Sequence, residues 1–252
     1  MKVKHLLVIV LVLGLFPACK SMLTMMTPKA SPEMVAMVMD NAEKIRFSPA
    51  KKLGKSKSGR MPLKAGQWVT TLMTNKDASA NVTLSTTRIL SVTGSTVLIE
   101  TESYSALDKG QRQLAQITFA NYPVKGSLSY SQSEYDSTIN NIKIVKLVTK
   151  NGDQPAQEIP EQFLIMSQGM AKNIAAAAVR TGDMITDSCK TDYLDSSLCY
   201  SFNYTVSVMG ITRSGKSVTH SEVPINGLIH MDSEDMVQET IAFGTSGAKA
   251  QF

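Results

Sequence analysis

The sequence predicts a mainly β, α+β domain: a curved antiparallel sheet or partly open barrel with one covering helix. Three observations carry this expectation. Segments of alternating apolar and polar residues recur from Gln67 to Phe243. A single long helical periodicity interrupts them at Glu161–Arg180. Turn residues such as Gly94-Ser95 and Asn151-Gly152 punctuate the alternation at strand-length intervals. Strands, then a helix, then strands again lay that helix over one side of an antiparallel sheet, and a closed barrel fits the same alternation.

The first element follows Ser31, a residue type that caps helix N-termini, with Pro32 at the opening helical position. Met34, Val35, Met37 and Val38 then supply a short apolar helix. Pro49, Gly54, Gly59 and Pro62 break regular structure, so residues 19–64 read as a tether and entry segment to one domain at 65–252. Lys51, Lys52, Lys55, Lys57 and Arg60 lie among small polar residues and read as a solvated linker. Its functional counterpart is contact with anionic headgroups or cell-wall material.

Strand Gln67–Met73 ends at the turn Asn75-Lys76-Asp77. Val82–Val92 and Thr96–Glu102 form a hairpin across Gly94-Ser95, with Val97, Ile99 and Thr101 facing away from Leu98, Glu100 and Glu102. Gln113–Phe119, Gly126–Ser131 and Ile142–Thr149 follow, the last stopped by Asn151-Gly152. In the helix, Phe163, Leu164, Met166, Met170, Ile174 and Ala178 form the apolar side, the alanine run at 175–178 favours helicity, and Thr181-Gly182 ends it. Ser201–Val208 places Phe202, Tyr204, Val206 and Val208 opposite Asn203, Thr205 and Ser207. Gly227–Met231 and Met236–Phe243 pair across Asp232-Ser233-Glu234-Asp235.

The N-terminus carries an address. Met1-Lys2-Val3-Lys4 is basic, Leu6–Phe16 is apolar, and Pro17-Ala18 precedes Cys19, the pattern of a secretory signal. The apolar run falls well short of the roughly 20 residues that span a bilayer. Leu15-Phe16-Pro17-Ala18-Cys19 resembles the lipobox of bacterial envelope lipoprotein precursors, departing from it at Phe16, where leucine is usual, and at Pro17. The resemblance implies removal of residues 1–18, lipid attachment at Cys19 and a membrane tether made by acyl chains. Lys20, where aspartate would retain the chain at the inner membrane, implies the outer membrane with the domain facing the periplasm.

The whole chain has 26 Lys and Arg against 21 Asp and Glu, and losing Lys2 and Lys4 with the leader leaves 24 against 21. So small a basic surplus, without an aromatic platform, argues against nucleic-acid binding. Cys189 and Cys199 remain once Cys19 carries lipid, and in an exported chain they pair as a disulfide around a polar segment. Closing that loop stabilises by roughly 3 kcal/mol on chain entropy. Redox chemistry favours Cys-x-x-Cys spacing, and a zinc site lacks nearby partners.

Several patterns invite chemistry. Gly210-Ile211-Thr212-Arg213-Ser214-Gly215-Lys216-Ser217 matches the phosphate-binding loop by letter, but Val218, Thr219, Val223 and Pro224 read as extended chain where that loop needs a helix. His220 and His230, with Glu222 or Asp232, are the residues available for metal-assisted hydrolysis. Ser217, His220 and Asp232 contain the types of an acyl-transfer triad without its nucleophile elbow. Asp183, Asp187, Asp192 and Asp195 lack EF-hand spacing. No cofactor or metal is expected.

The order of elements over Gln67–Phe243 loosely resembles half-barrel lipid or lipoprotein carriers and receptors of the bacterial envelope. That resemblance implies contact of Trp68, Phe163, Met166 and Met170 with a hydrophobic ligand. The expected function is a noncatalytic, membrane-tethered envelope lipoprotein with a β-rich surface for an envelope protein partner, and transport of a lipid or lipoprotein is its alternative.

Overall fold

The computed structural model describes residues 29–57, 59–76, 79–124, 140–165, 168–169, 178–208 and 211–252. Alternating sequence becomes one 12-stranded sheet. In chain order the elements are helix α1 (Pro32–Ile45), β1 (Lys51–Lys52), β2 (Trp68–Asn75), β3 (Val82–Thr93), β4 (Thr96–Ser105), β5 (Arg112–Ala120), β6 (Lys143–Asn151), β7 (Gln157–Glu158), β8 (Ala178–Lys190), β9 (Leu194–Val208), β10 (Ile211–Thr219), β11 (Leu228–Ser233) and β12 (Met236–Gly244). β2 to β7 form one antiparallel meander and β8 to β12 another. They join where the last strand pairs with β2, Phe243 opposite Val69 and Gly244 opposite Trp68. β1 pairs parallel, with β9. The sheet is curved and open, mainly β with few helices, as the sequence predicts.

The main core gathers Val69, Leu84, Ile89, Val97, Leu194, Ile229 and Ile241 with Val38 and Ala42 of α1. A second cluster, Ala115, Ile117 and Leu147, packs under Ile159 and Leu164. A third joins Leu228, Met231 and Met236 to Met73 and Tyr204. The faces of β4 divide as expected: Val97 and Ile99 are buried opposite Glu100 and Glu102.

α1 forms where the cap signals place it, and it runs further than the four apolar residues that announce it. The Ser31 side chain accepts the Met34 N–H at 3.3 Å, Pro32 sits in the first turn, and the helix buries Val38 and Ala42. β12 bulges between Thr240 and Ala242. The carbonyl of Ile241, at that irregularity, accepts the Phe47 N–H at 2.9 Å. Phe47 then meets Phe243 edge to face at 5.4 Å, and the Lys51 ammonium lies over both rings at 5.0 and 4.2 Å.

The segment expected to be a tether is therefore built into the body from Ala30 onward. Leu53, Ser56 and Leu63 are buried, and the expected solvated linker keeps Lys52, Lys55 and Lys57 exposed while its backbone bonds to the body between Gly54 and Lys57. Gly54 N–H donates to Glu222, Lys57 N–H to Ser221 Oγ, and Ser221 N–H to Ser56 Oγ.

The expected helix at Glu161–Arg180 needs correction. Residues 161–165 and 168–169 are helical, but β8 begins at Ala178, so the helix ends before Thr181-Gly182. Pairing with β9 from Ala178 opposite Val206 gives this backbone a ladder that alanine's helix propensity does not outweigh. The expected strand Gly126–Ser131 lies outside the described residues.

Candidate functional site

A polar cleft opens where β9, β10 and the β11–β12 turn meet. Its volume is about 460 Å³, and its walls are Asn203, Tyr204, Thr205, Ser214, Gly215, Asp232, Ser233 and Glu234. Strand register makes them neighbours on two faces: Gly215 stands between Tyr204 and Ser233 on one face, and Lys216 lies between Asn203 and Asp232 on the other. Gly215 is required by close approach. A Cβ there would sit 2.6 Å from the Tyr204 Oη and 2.6 Å from the Asp232 carbonyl. The Tyr204 ring thus fills the space that a side chain on β10 would take.

Charge around the cleft is balanced. The Lys76 ammonium binds Asp232 Oδ1 and, at 2.8 Å, the Ser233 carbonyl. Arg213 donates to Asp235 at 2.7 Å and lies 3.7 Å from Glu234. Burial pushes the Tyr204 phenol above its usual range, the nearby Asp232 charge adds to this, and a Ser233 hydrogen bond opposes it. Thr205 and Ser214 hydroxyls approach to 3.4 Å. Among the described residues the Asn203 side chain makes no hydrogen bond, and Asn203, Ser214 and Glu234 are exposed.

A second constellation lies on the β3–β5 face. Trp68, Arg88, Glu100 and Gln116 stand opposite one another across β2 to β5 and so share a face. Arg88 bridges Glu100 at 3.4 Å and Glu102 at 2.5 Å, Arg112 reaches Glu102 at 2.5 Å, and the Tyr104 hydroxyl donates to Glu102 at 2.9 Å. Glu100 is fully buried. Gln116 donates to it, and the Gln251 N–H meets both its oxygens at 3.1 Å, so the C-terminal residues close over the network. Each buried carboxylate is paired, the condition for charge to survive there.

Of the residues expected to grip an apolar ligand, the two that are described, Trp68 and Phe163, are not brought together. Trp68 is on the face of Arg88 and Glu100, its indole against Gly244, where a Cβ would lie 2.7 Å from Cε2. It belongs to a strand with β12 and β3 on either side, not to a sheet edge. Ala115, Ile117 and Leu147 occupy the opposite face, and Leu164 is buried against them beside the exposed Phe163. Trp68 and the 161–165 turn therefore address different faces. Met166, Met170 and Cys19 lie outside the described residues.

Cys189 and Cys199 form the disulfide, with Cα atoms 5.8 Å apart on adjacent strands β8 and β9. The intervening residues make a hairpin instead of a free loop. Residues 211–217 of the phosphate-loop letters fall in β10, whose residues Ile211–Thr219 pair with β9 as a ladder instead of an amide nest, and Gly210 lies outside the described residues. His220 is buried with both nitrogens engaged: Nδ1 accepts the Glu222 N–H at 3.1 Å, and Nε2 meets the Gly54 carbonyl at 2.9 Å. This network assigns a neutral imidazole protonated at Nε2 and leaves no lone pair for a metal or a serine. His230 instead faces Glu239 at 3.4 Å. Among the described residues no group of three potential metal ligands gathers.

The cleft was visible in the sequence only in fragments. An isolated glycine in a strand, Gly215, signals close backbone approach, but its cross-strand partner is set by register. No helix among the described residues is long and apolar enough to cross a membrane. No protein family, curated protein or solved structure matches the chain.

Proposed function

We propose that this chain is a noncatalytic, membrane-tethered lipoprotein of the bacterial envelope whose β-rich domain serves as an interaction module. The observation that carries the reading is the Cys189–Cys199 disulfide. Once Cys19 takes the lipid, these two cysteines are the remainder of the chain's three, and disulfides persist in oxidising compartments such as the periplasm. The leader through Ala18 supplies export, and Lys20 favours the outer membrane with the domain on the periplasmic side. Two clusters of polar side chains are spent on structure: His220 on the backbone, and Arg88, Glu100, Glu102 and Arg112 on one another. That pattern favours binding over turnover.

Mass spectrometry of the N-terminal peptide from separated membrane fractions tests the reading. The expected species begins at Cys19, carries acyl groups and is found in the outer membrane. An unmodified Met1 terminus recovered from the cytosol would refute both the tether and the compartment.

A further inference from the structure

The interaction reading leaves the binding surface unnamed, and the β2–β5 face around Glu100 supplies one. We propose that this face is a peptide-binding site, held in cis by residues 245–252 and open to an extended segment of a partner protein; the proposal rests on the interaction reading above.

The site is built on one side of the sheet. Trp68, Arg88, Glu100 and Gln116 stand in a single row across β2, β3, β4 and β5. Side-chain contacts place Glu102 and Arg112 on that same side: Arg88 reaches both Glu100 and Glu102, Arg112 reaches Glu102, and Gln116 donates to Glu100 at 3.0 Å. Two carboxylates face two guanidiniums, so the network is neutral as a set. The group it receives best is a neutral one that both donates and accepts, as a peptide unit with a carboxamide does.

The chain's own C-terminal residues show how such a segment sits. Gln251 spans the network: its N–H meets both Glu100 oxygens at 3.1 Å, and its Oε1 accepts from Arg112 at 3.2 Å. A second anchor lies at Gly66, whose carbonyl accepts the Ala248 N–H at 2.9 Å. A Cβ on Gly66 would stand 3.2 Å from the Gly247 nitrogen, and its φ is +91°, so glycine is needed on both counts. The Gly66 N–H is itself bonded to the Ile89 carbonyl at 2.8 Å, which fixes this anchor beside Arg88. The two anchors therefore read backbone and one carboxamide, at the spacing of Gly247 and Gln251.

Burial marks the segment as an occupant that can leave. None of residues 245–252 is buried, and all but Ala248 are exposed. They add nothing to the apolar core, and a few directional bonds hold them, which water replaces when they lift. Segments held in this way open at the low end of a protein's stability. What they cover is the opposite, because Glu100 has no exposed surface.

The test uses the full chain with two changes outside the site's strands. Ala248→Pro with Gln251→Pro deletes both backbone donors by which the segment docks and leaves Arg88, Glu100, Gln116 and Arg112 intact. A synthetic peptide of residues 245–252, acetylated at its N-terminus, is titrated into parent and double variant. Calorimetry gives affinity, and NMR follows the Gln116 side-chain amide and the Trp68 indole. The peptide should bind the double variant saturably and shift both signals. It should bind the parent about tenfold more weakly or worse, because the cis segment already occupies the site. A peptide carrying the same two prolines should bind the double variant about tenfold more weakly than the original peptide.

No saturable binding of the original peptide to the double variant overturns the proposal. So do equal affinities for parent and double variant, binding that leaves the Gln116 and Trp68 signals unmoved, or undiminished binding of the proline peptide. A parent that is dimeric by light scattering while the double variant is monomeric assigns the site to a second copy and overturns the partner proposal as well. Acylation at Cys19 is read independently by mass spectrometry, so loss of the peptide site and loss of the lipoprotein reading are distinct results.

Discussion

Replacing Glu102 with Gln keeps the side chain's shape and removes the charge that holds Arg88 and Arg112. Burial works to raise the Glu102 carboxyl, but hydrogen bonds from Arg88 and Arg112, the Arg88 charge and the Tyr104 hydroxyl outweigh it and hold the group below its ordinary value. Only 11% of the side chain is exposed, so solvent screens the pair little. Breaking a buried ion pair by neutralising one partner costs about 3–5 kcal/mol. Arg88 retains Glu100 at 3.4 Å, which brings the expected loss to the lower end, about 3 kcal/mol. With a urea slope of about 2–3 kcal/mol/M, the midpoint at pH 7 should fall by roughly 1 M. The pH dependence has a definite sign. A carboxyl that titrates lower in the folded state contributes fully above its unfolded pKa, about 4.3 for Glu, and loses that contribution as pH falls through the folded value. The gap between parent and Glu102→Gln should therefore be widest near neutrality and close progressively below about pH 4. Trp68, the lone tryptophan, lies on the same face and reports unfolding by fluorescence. Equal midpoints at pH 7, or a gap that persists unchanged into strong acid, would refute the assignment of the network as stabilising.

Other perturbations test separate parts of the fold. Cys199→Ala, or reduction of the parent, should lower unfolding free energy by about 2–5 kcal/mol, read as a drop in urea midpoint that thiol reagents reproduce only in the parent. Gly244→Ala drives a methyl into the Trp68 indole and should cost about 1–3 kcal/mol, with a shift in native tryptophan emission that distinguishes it from a remote loss of stability. Ser31→Ala removes the cap of α1 and should cost about 1 kcal/mol in thermal unfolding, which Ser31→Asp should restore.

What the sequence revealed follows from which forces act locally. Strand alternation and turn residues located β2 to β6 and the β11–β12 hairpin because each strand has a face committed to core, as with Val97 and Ile99. Ser31 and Pro32 announced α1 because a cap is a contact three residues long. β8 stayed hidden because the alanine run before it favours helix intrinsically, whereas its strand depends on β9 residues that lie beyond a turn. The same limit hid the two polar constellations. Arg88, Glu100, Glu102 and Arg112 come from three strands, and the cleft also draws on three elements, so their meeting depends on register. A clue did exist: charges on β3, β4 and β5 can neutralise one another only if they share a face.

The two edges of the sheet are each interrupted, in different ways. An open sheet presents unpaired backbone groups at both ends and invites another strand to add there. Here β6 is covered in pieces: β7 pairs with Val148 and Thr149, Ile159 N–H donates to the Leu147 carbonyl, and the Gln168 carboxamide bonds both the Ile142 carbonyl and the Ile144 N–H. One side chain thus imitates a peptide group. At the other end β8 breaks register between Thr181 and Ile185 and again between Asp187 and Cys189, and it exposes Asp183 and Asp187. Bulges and edge carboxylates interrupt the flat run of amides that strand addition needs. Both edges of the sheet are thus blunted, so a second strand finds no long flat ladder to extend at either end.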